Sequence, residues 1–187
     1  KYGNDDDYAD QIMWEVFDYY CSSVVGRPNV KGGVYGVNML PTTCHIYFGE
    51  VMIASPNGRL AHKPVSEGIS PEKGADLYGP TAVIKSASKM DHLRTGGTLL
   101  NQKFVPSVVA GENGLEQMAN LVRTYFELDG HHLQFNVIDR QTLIDAQEKP
   151  EEYKDLIVRV AGYSDHFRNL SKALQDEIIE RTEQRFN

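Results

Sequence analysis

The chain has 187 residues, 41% of them hydrophobic and 24% charged, with 16 Gly and 8 Pro scattered without period. That balance excludes disordered, collagen-like and mucin-like classes. The net charge of −7 gives phosphate backbones no basic stripe to bind, so nucleic acid is not an expected partner. Two cysteines without a C-x-x-C exclude a disulfide scaffold and a zinc site, and no metal centre is expected. No apolar run is long enough for a membrane helix. The expected compartment is reducing and cytoplasmic. The first residue is Lys1, without a signal-peptide pattern, so the expectation is a processed chain or a piece of a longer one.

The first predicted helix runs from Tyr8 to about Val25, with Ile12, Val16 and Tyr20 on one stripe, joined by Met13 and Phe17. Asp5, Asp6 and Asp7 precede it as capping carboxylates, and Gly26 and Pro28 stop it. His45-Ile46-Tyr47-Phe48 reads as a buried strand and Pro56-Asn57-Gly58 as a turn. A long Gly-rich segment then reaches Gly79-Pro80, the kind of irregular stretch that often lines a site.

Thr81 to Met90 is a predicted helix and Thr98 to Val109 a predicted strand. Glu112 to Asp129 reads as a helix with Leu115, Met118, Ala119, Val122 and Phe126 on its apolar stripe, ended by Gly130. Leu133 to Ile138 reads as a strand, and Asp139 caps a helix to about Gln147, which Pro150 stops. Leu156 to Val160 is a β-rich run, and the last helix runs from the Ser171 cap to Gln184, burying Leu174, Ile178 and Ile179. Helices and strands alternate, which makes the fold class α/β.

Few residues carry chemistry by spacing alone. His131 and His132 are neighbours; on a strand they face opposite ways, so packing or hydrogen bonding is expected rather than chelation. Asp91-His92 reads either as an acid–base pair or as a helix end. Cys44 is either a nucleophile or a packed thiol at a strand start. Phosphate-loop, dinucleotide-loop and nucleophile-elbow patterns are all missing. Gly162, at the end of a strand in Arg159-Val160-Ala161-Gly162-Tyr163-Ser164-Asp165-His166-Phe167, reads on conformational grounds as a turn glycine with positive φ.

That nine-residue stretch resembles the signature loop of the glycyl radical enzymes. Gly68-Ile69-Ser70-Pro71, Gly79-Pro80-Thr81-Ala82-Val83, Gly97-Thr98-Leu99-Leu100-Asn101-Gln102-Lys103-Phe104 and Gln134-Phe135-Asn136-Val137 are similar to other carboxyl-terminal segments of the same family. The resemblance implies that Gly162 stores a radical on its α-carbon, installed by a radical S-adenosylmethionine activase and passed to a cysteine thiol. No permanently bound cofactor is implied. Glycine suits the role because an α-carbon without a side chain flattens easily between an amide nitrogen and a carbonyl. Arg159, Val160, Ala161, Tyr163, Ser164 and Phe167 match the motif and are expected to shape and bury the loop.

Ala161 and Ser164 resemble the diol dehydratase, choline lyase and arylacetate decarboxylase branch more than the pyruvate formate-lyase type. The wording around Glu67 and Lys89 is similar to the hydroxyphenylacetate decarboxylase and isethionate lyase group. The family's thiyl cysteine lies in a G-C-[VI]-E loop, which neither Cys21 nor Cys44 matches. The resemblance therefore implies the carboxyl-terminal part of a ten-stranded β/α barrel: residues 1–140 supply late barrel strands and helices, and 141–187 a glycyl radical domain ending in a terminal helix.

Thr42 and Cys44 resemble pocket-lining positions on a late barrel strand. The implied activity is that of a glycyl radical lyase in an anaerobic setting. Its implied partners are the activase, the rest of the barrel, a small-molecule substrate and a second copy in a homodimer. Two alternatives are a spare-part subunit that restores a damaged lyase and a pyruvate formate-lyase-type acyltransferase.

Overall fold

The computed structural model describes residues 1–186. Six α-helices punctuate the described residues: α1 (Asp7–Val24), α2 (Cys44–Val51), α3 (Gly79–Ser88), α4 (Gly111–Glu127), α5 (Arg140–Glu148) and α6 (Lys172–Glu180). The strands are β1 (Leu100–Phe104), β2 (Leu133–Val137), β3 (Ile157–Arg159), β4 (Ser164–His166) and β5 (Glu183–Gln184). A three-stranded parallel sheet has the order β2-β1-β5, and β3 and β4 form a separate antiparallel hairpin. Parallel neighbours need crossovers, and α4 supplies the one between β1 and β2. The mixed α/β class read from the alternation of elements holds.

Period-two geometry divides the faces of the sheet. Leu100 and Phe104 of β1 pack with Leu133 and Phe135 of β2 into one apolar cluster that also takes Phe17, Cys21, Val83, Ile84, Leu121 and Tyr125 from α1, α3 and α4. Asn101 and Lys103 of β1, in register with Gln134 and Asn136 of β2, occupy the alternate positions. A second cluster lies with the hairpin, where Leu143, Val158, Val160, Phe167, Leu174 and Ile178 pack together with Ile46 of α2.

Several sequence expectations need correction. Helix α1 forms where its periodicity placed it, capped by Asp6, whose carboxylate accepts from the amides of Tyr8 and Ala9. Its buried face is Asp10, Phe17 and Cys21, however, while Ile12, Val16 and Tyr20 are exposed. Buried Asp10 accepts from Ser86 Oγ at 2.9 Å and Lys89 Nζ at 2.7 Å, which turns that side of α1 toward α3. Lys89 also reaches Asp5 and Asp7, so the acidic run pairs as well as caps.

The segment read as a strand at His45–Phe48 is helix α2, so Cys44 begins a helix rather than a strand. Gly49 in that helix lies so near its neighbour that a Cβ would fall 2.3 Å from the Lys63 carbonyl oxygen. The predicted strand from Thr98 shortens to β1, because Pro106 starts a 3₁₀ turn. Helix α4 buries Gly114, Leu121 and Tyr125, a stripe rotated from the predicted one, and leaves Leu115 and Phe126 exposed. The left-handed residue after α4 is Asp129 rather than Gly130; Gly130 is needed because a Cβ would come within 2.4 Å of the Tyr125 ring. Helix α6 is shorter than expected, ending at Glu180, and Gln184 belongs to β5.

Candidate active site

The hairpin pairs Ile157 with His166, Val158 with Asp165 and Arg159 with Ser164, and the Val160 amide donates to the Tyr163 carbonyl at 2.8 Å. Gly162 therefore sits in the connecting turn, exposed, at φ +85°. A Cβ built there meets nothing within 4 Å. The positive φ is a conformation that favours glycine. Val160, Ala161 and Phe167 are buried and tie both arms of the hairpin into the second cluster, with Tyr163 half-buried against it. Burial, reinforced by Asp165 and Tyr47, pushes the Tyr163 phenol up.

The hairpin does not join the parallel sheet by a backbone ladder; side chains hold it. Asn136 from β2 donates through Nδ2 to the Arg159 carbonyl at 2.7 Å and accepts from the Arg159 amide at 2.8 Å. Arg159 Nε donates to Gln134 Oε1 at 2.8 Å, and its Nη1 to Ser164 Oγ at 3.3 Å. Asn101 of β1 donates to the Val160 carbonyl at 3.4 Å and accepts from Gln134 Nε2.

From the end of α6, Arg181 donates to the carbonyls of Arg159 (3.3 Å) and Val160 (2.9 Å). Arg181 is itself buried and pairs with Glu177 through Nε (3.1 Å) and Nη2 (2.8 Å), with Glu67 at 3.8 Å. His45 and Lys73 lie 3.6 Å and 3.7 Å from Glu177. Burial opposes ionisation of Glu177, but Arg181, His45 and Lys73 outweigh it and hold the carboxyl below the usual carboxylate range. Burial pushes the Glu67 carboxyl up against the pull of Arg181.

The loop residues singled out from sequence thus converge on one hairpin. Thr42 and Cys44 do not join it by any hydrogen bond among the described residues. Thr42 holds a strained φ of +56° just before α2. Cys44 is exposed and lines an open groove of about 350 Å³ together with Leu40, His45, Phe48 and Val65. Asp91 caps a 3₁₀ turn by accepting from the Leu93 amide, which favours the helix-end reading. His92 is buried between Thr98 Oγ1 and the Ala87 carbonyl, and burial lowers its basicity.

Sequence reasoning missed Arg181, Glu177, Glu67 and His45, and gave no role to Asn101, Gln134 and Asn136. A signal was present. A parallel strand is ordinarily a run of Val, Ile and Leu, and Leu100-Asn101-Gln102-Lys103-Phe104 is buried throughout despite three polar residues in five. Among the described residues no cluster of His, Cys, Asp and Glu is arranged to hold a metal, and no helix is long and apolar enough to cross a membrane.

A hairpin that presents a left-handed glycine on a polar cradle, inside the R-V-A-G-Y-S motif, defines a class. The chain belongs to the glycyl radical enzyme family: the family described as Glycine radical matches residues 65–168, and the one described as Pyruvate formate lyase-like matches residues 1–49. It is 73% identical over 186 residues to the trans-4-hydroxy-L-proline dehydratase of Clostridioides difficile, covering 100% of this chain and 24% of that protein. The crystal structure of hydroxyproline dehydratase from the same organism, with trans-4-hydroxy-L-proline bound, superposes with a TM-score of 0.96 over 100% of this chain and 24% of that one.

The B12-independent glycerol dehydratase of Clostridium butyricum, glycerol-bound, also superposes at 0.96, with 46% identity, 100% coverage of this chain and 24% of that one. An isethionate sulfite-lyase of Oleidesulfovibrio alaskensis is 44% identical over 186 residues, 97% of this chain and 22% of its own. The chain spans about a quarter of the length of these relatives.

Proposed function

We propose that this chain is the radical-storing part of a glycyl radical dehydratase, with Gly162 as the storage site and trans-4-hydroxy-L-proline as substrate. The observation that carries the reading is Gly162 itself, at φ +85° on a hairpin tip inside the family match. The 73% identity to the hydroxyproline dehydratase supports the substrate.

In this reading a radical S-adenosylmethionine activase removes one hydrogen atom from the Gly162 Cα. The unpaired electron is shared with the flanking amide nitrogen and carbonyl. The glycyl radical then takes a hydrogen atom from a cysteine thiol outside this chain, restoring glycine and leaving a thiyl radical. The thiyl radical removes a hydrogen atom from the substrate, water leaves, and the product radical recovers hydrogen from the thiol. Protein groups supply orientation and exclusion of solvent and oxygen around that chemistry.

Arg159, Val160, Ala161, Tyr163, Ser164 and Phe167 hold the loop. Thr42 and Cys44 border the substrate pocket; the strained φ at Thr42 and the exposed thiol on the groove support that role. Residues 1–140 belong with the barrel and 141–187 with the radical domain; most of the second apolar cluster comes from 143–179, and Ile46 and Ile138 join it from the barrel part. Partners are the activase, the remainder of the barrel and a second copy, in the cytoplasm of an anaerobically growing cell.

The test is electron paramagnetic resonance of the full-length protein after anaerobic activation. A glycyl doublet that is lost in Gly162→Ala is expected, together with backbone cleavage at Gly162 in air that releases the carboxyl-terminal segment. No organic radical under activation that works on a known family member would sink the assignment. Turnover of glycerol in preference to trans-4-hydroxy-L-proline would overturn the substrate alone.

A further inference from the structure

We propose that Arg181 is a positioning residue for the radical loop, acting through the carbonyls of Arg159 and Val160 and held in place by Glu177. The inference rests on the reading of Gly162 as the radical site. Gly162 sits in the connecting turn of the hairpin at φ +85°, so the plane of its two peptides follows the backbone on either side. Its orientation is inherited from the anchors on either side. On the downstream side these are the Val160–Tyr163 turn bond and buried Phe167. On the upstream side, the two residues before Ala161 both give their carbonyls to Arg181.

Arginine is suited to this task in a way lysine is not. Its planar fork donates to two successive carbonyls while Nε and Nη2 hold a carboxylate. A lysine ammonium, a single point charge, does not span the two carbonyls and Glu177 together. Glu177 is fully buried and fixes the guanidinium, and His45 and Lys73 face the carboxylate from other segments. The clamp therefore runs from α2 through α6 to the loop. Radical transfer over a fixed gap is sensitive to such anchoring, since misplacement of reacting groups by about 1 Å costs on the order of 100-fold in rate.

The experiment uses the full-length enzyme, activated anaerobically, with spins per protomer and substrate turnover measured on the same samples. In Arg181→Lys, turnover per spin is expected to fall roughly 10- to 100-fold with KM for trans-4-hydroxy-L-proline unchanged. Leu121→Ala, in the other apolar cluster, is the control for general destabilisation and keeps its turnover per spin. Glu177→Gln acts through the same guanidinium, so the double variant is no worse than Arg181→Lys alone.

Loss of the doublet in Arg181→Lys, while Leu121→Ala activates normally, supports the clamp equally, because the loop is then misplaced before the radical forms. If Arg181→Lys does not fold, Glu177→Gln decides: lowered turnover per spin supports the clamp and normal turnover overturns it. Normal turnover per spin in Arg181→Lys overturns it outright. A doublet missing from the unsubstituted protein instead removes the reading of Gly162, and the clamp with it.

Discussion

Asn136 makes the most consequential single link between the parallel sheet and the hairpin, and Asn136→Ala measures it. Two hydrogen bonds disappear, to the carbonyl and amide of Arg159, at 2.7 and 2.8 Å. Each contributes about 1 kcal/mol net. The carbonyl keeps its bond from Arg181, but the Arg159 amide is left without its acceptor, which costs about 1 kcal/mol more. The sum is about 3 kcal/mol, or roughly 150-fold in the equilibrium for local opening. Amide hydrogen exchange on the full-length protein reads that equilibrium directly. Peptides covering 157–167 should lose protection by about that factor, while peptides from α4 stay unchanged. Asn136→Asp keeps the acceptor for the amide but sets a carboxylate oxygen against the Arg159 carbonyl, so its effect should be at least the roughly fivefold of one lost bond. Unchanged protection of the hairpin in Asn136→Ala would refute the cradle, as would an equal loss in α4.

Two predictions concern pH. Glu177 titrates lower in the folded chain than an ordinary glutamate, so the stability it contributes is present above pH ~4.3 and is lost as pH falls below that value. Melting temperature followed downward from pH 6 should drop more steeply in the unsubstituted protein than in Glu177→Gln; parallel curves count against the assignment. Burial lowers Lys103 to about 8, and the unfolded chain therefore binds more protons than the folded one between pH 8 and ~10.4. Stability should gain a rising component across that window, and Lys103→Met should remove it. The same slope in the variant would show that other groups set the alkaline behaviour.

The parts of the fold legible in sequence are those where one local rule acts alone. Asp6, Asp139 and Ser171 each cap the helix that follows, accepting amides two or three residues on. Helix α6 buries the residues its spacing selects, Leu174, Ile178 and Ile179. Failures occur where two rules compete. On α1 the side turned to α3 carries a buried carboxylate, Asp10, whose partners lie 76 and 79 residues away. The run His45–Phe48 is apolar enough for a strand or a helix, and periodicity over four residues does not separate them. Gly162 stood out as a candidate because its motif is local. Arg181 did not, since its role depends on Arg159 and Val160, which are 22 and 21 residues distant.

The polar residues of β1 and β2 follow from where the hairpin sits. A strand added at a sheet edge would be held by backbone ladder bonds, and the side chains between would be free to be apolar. Here the edge of β1 away from β2 is taken by β5, and the hairpin forms its own two-stranded sheet. Its remaining carbonyls and amides then need donors and acceptors from side chains, because a buried backbone group without a partner is costly. Asn101, Gln134 and Asn136 meet that need from alternate positions of two paired strands, leaving Leu100, Phe104, Leu133 and Phe135 for the apolar cluster. Arg181 completes the set from the end of α6. Polar residues in a buried parallel pair are therefore the imprint of the loop they carry, and a leucine at Asn136 would suit the strand while leaving the Arg159 amide without an acceptor.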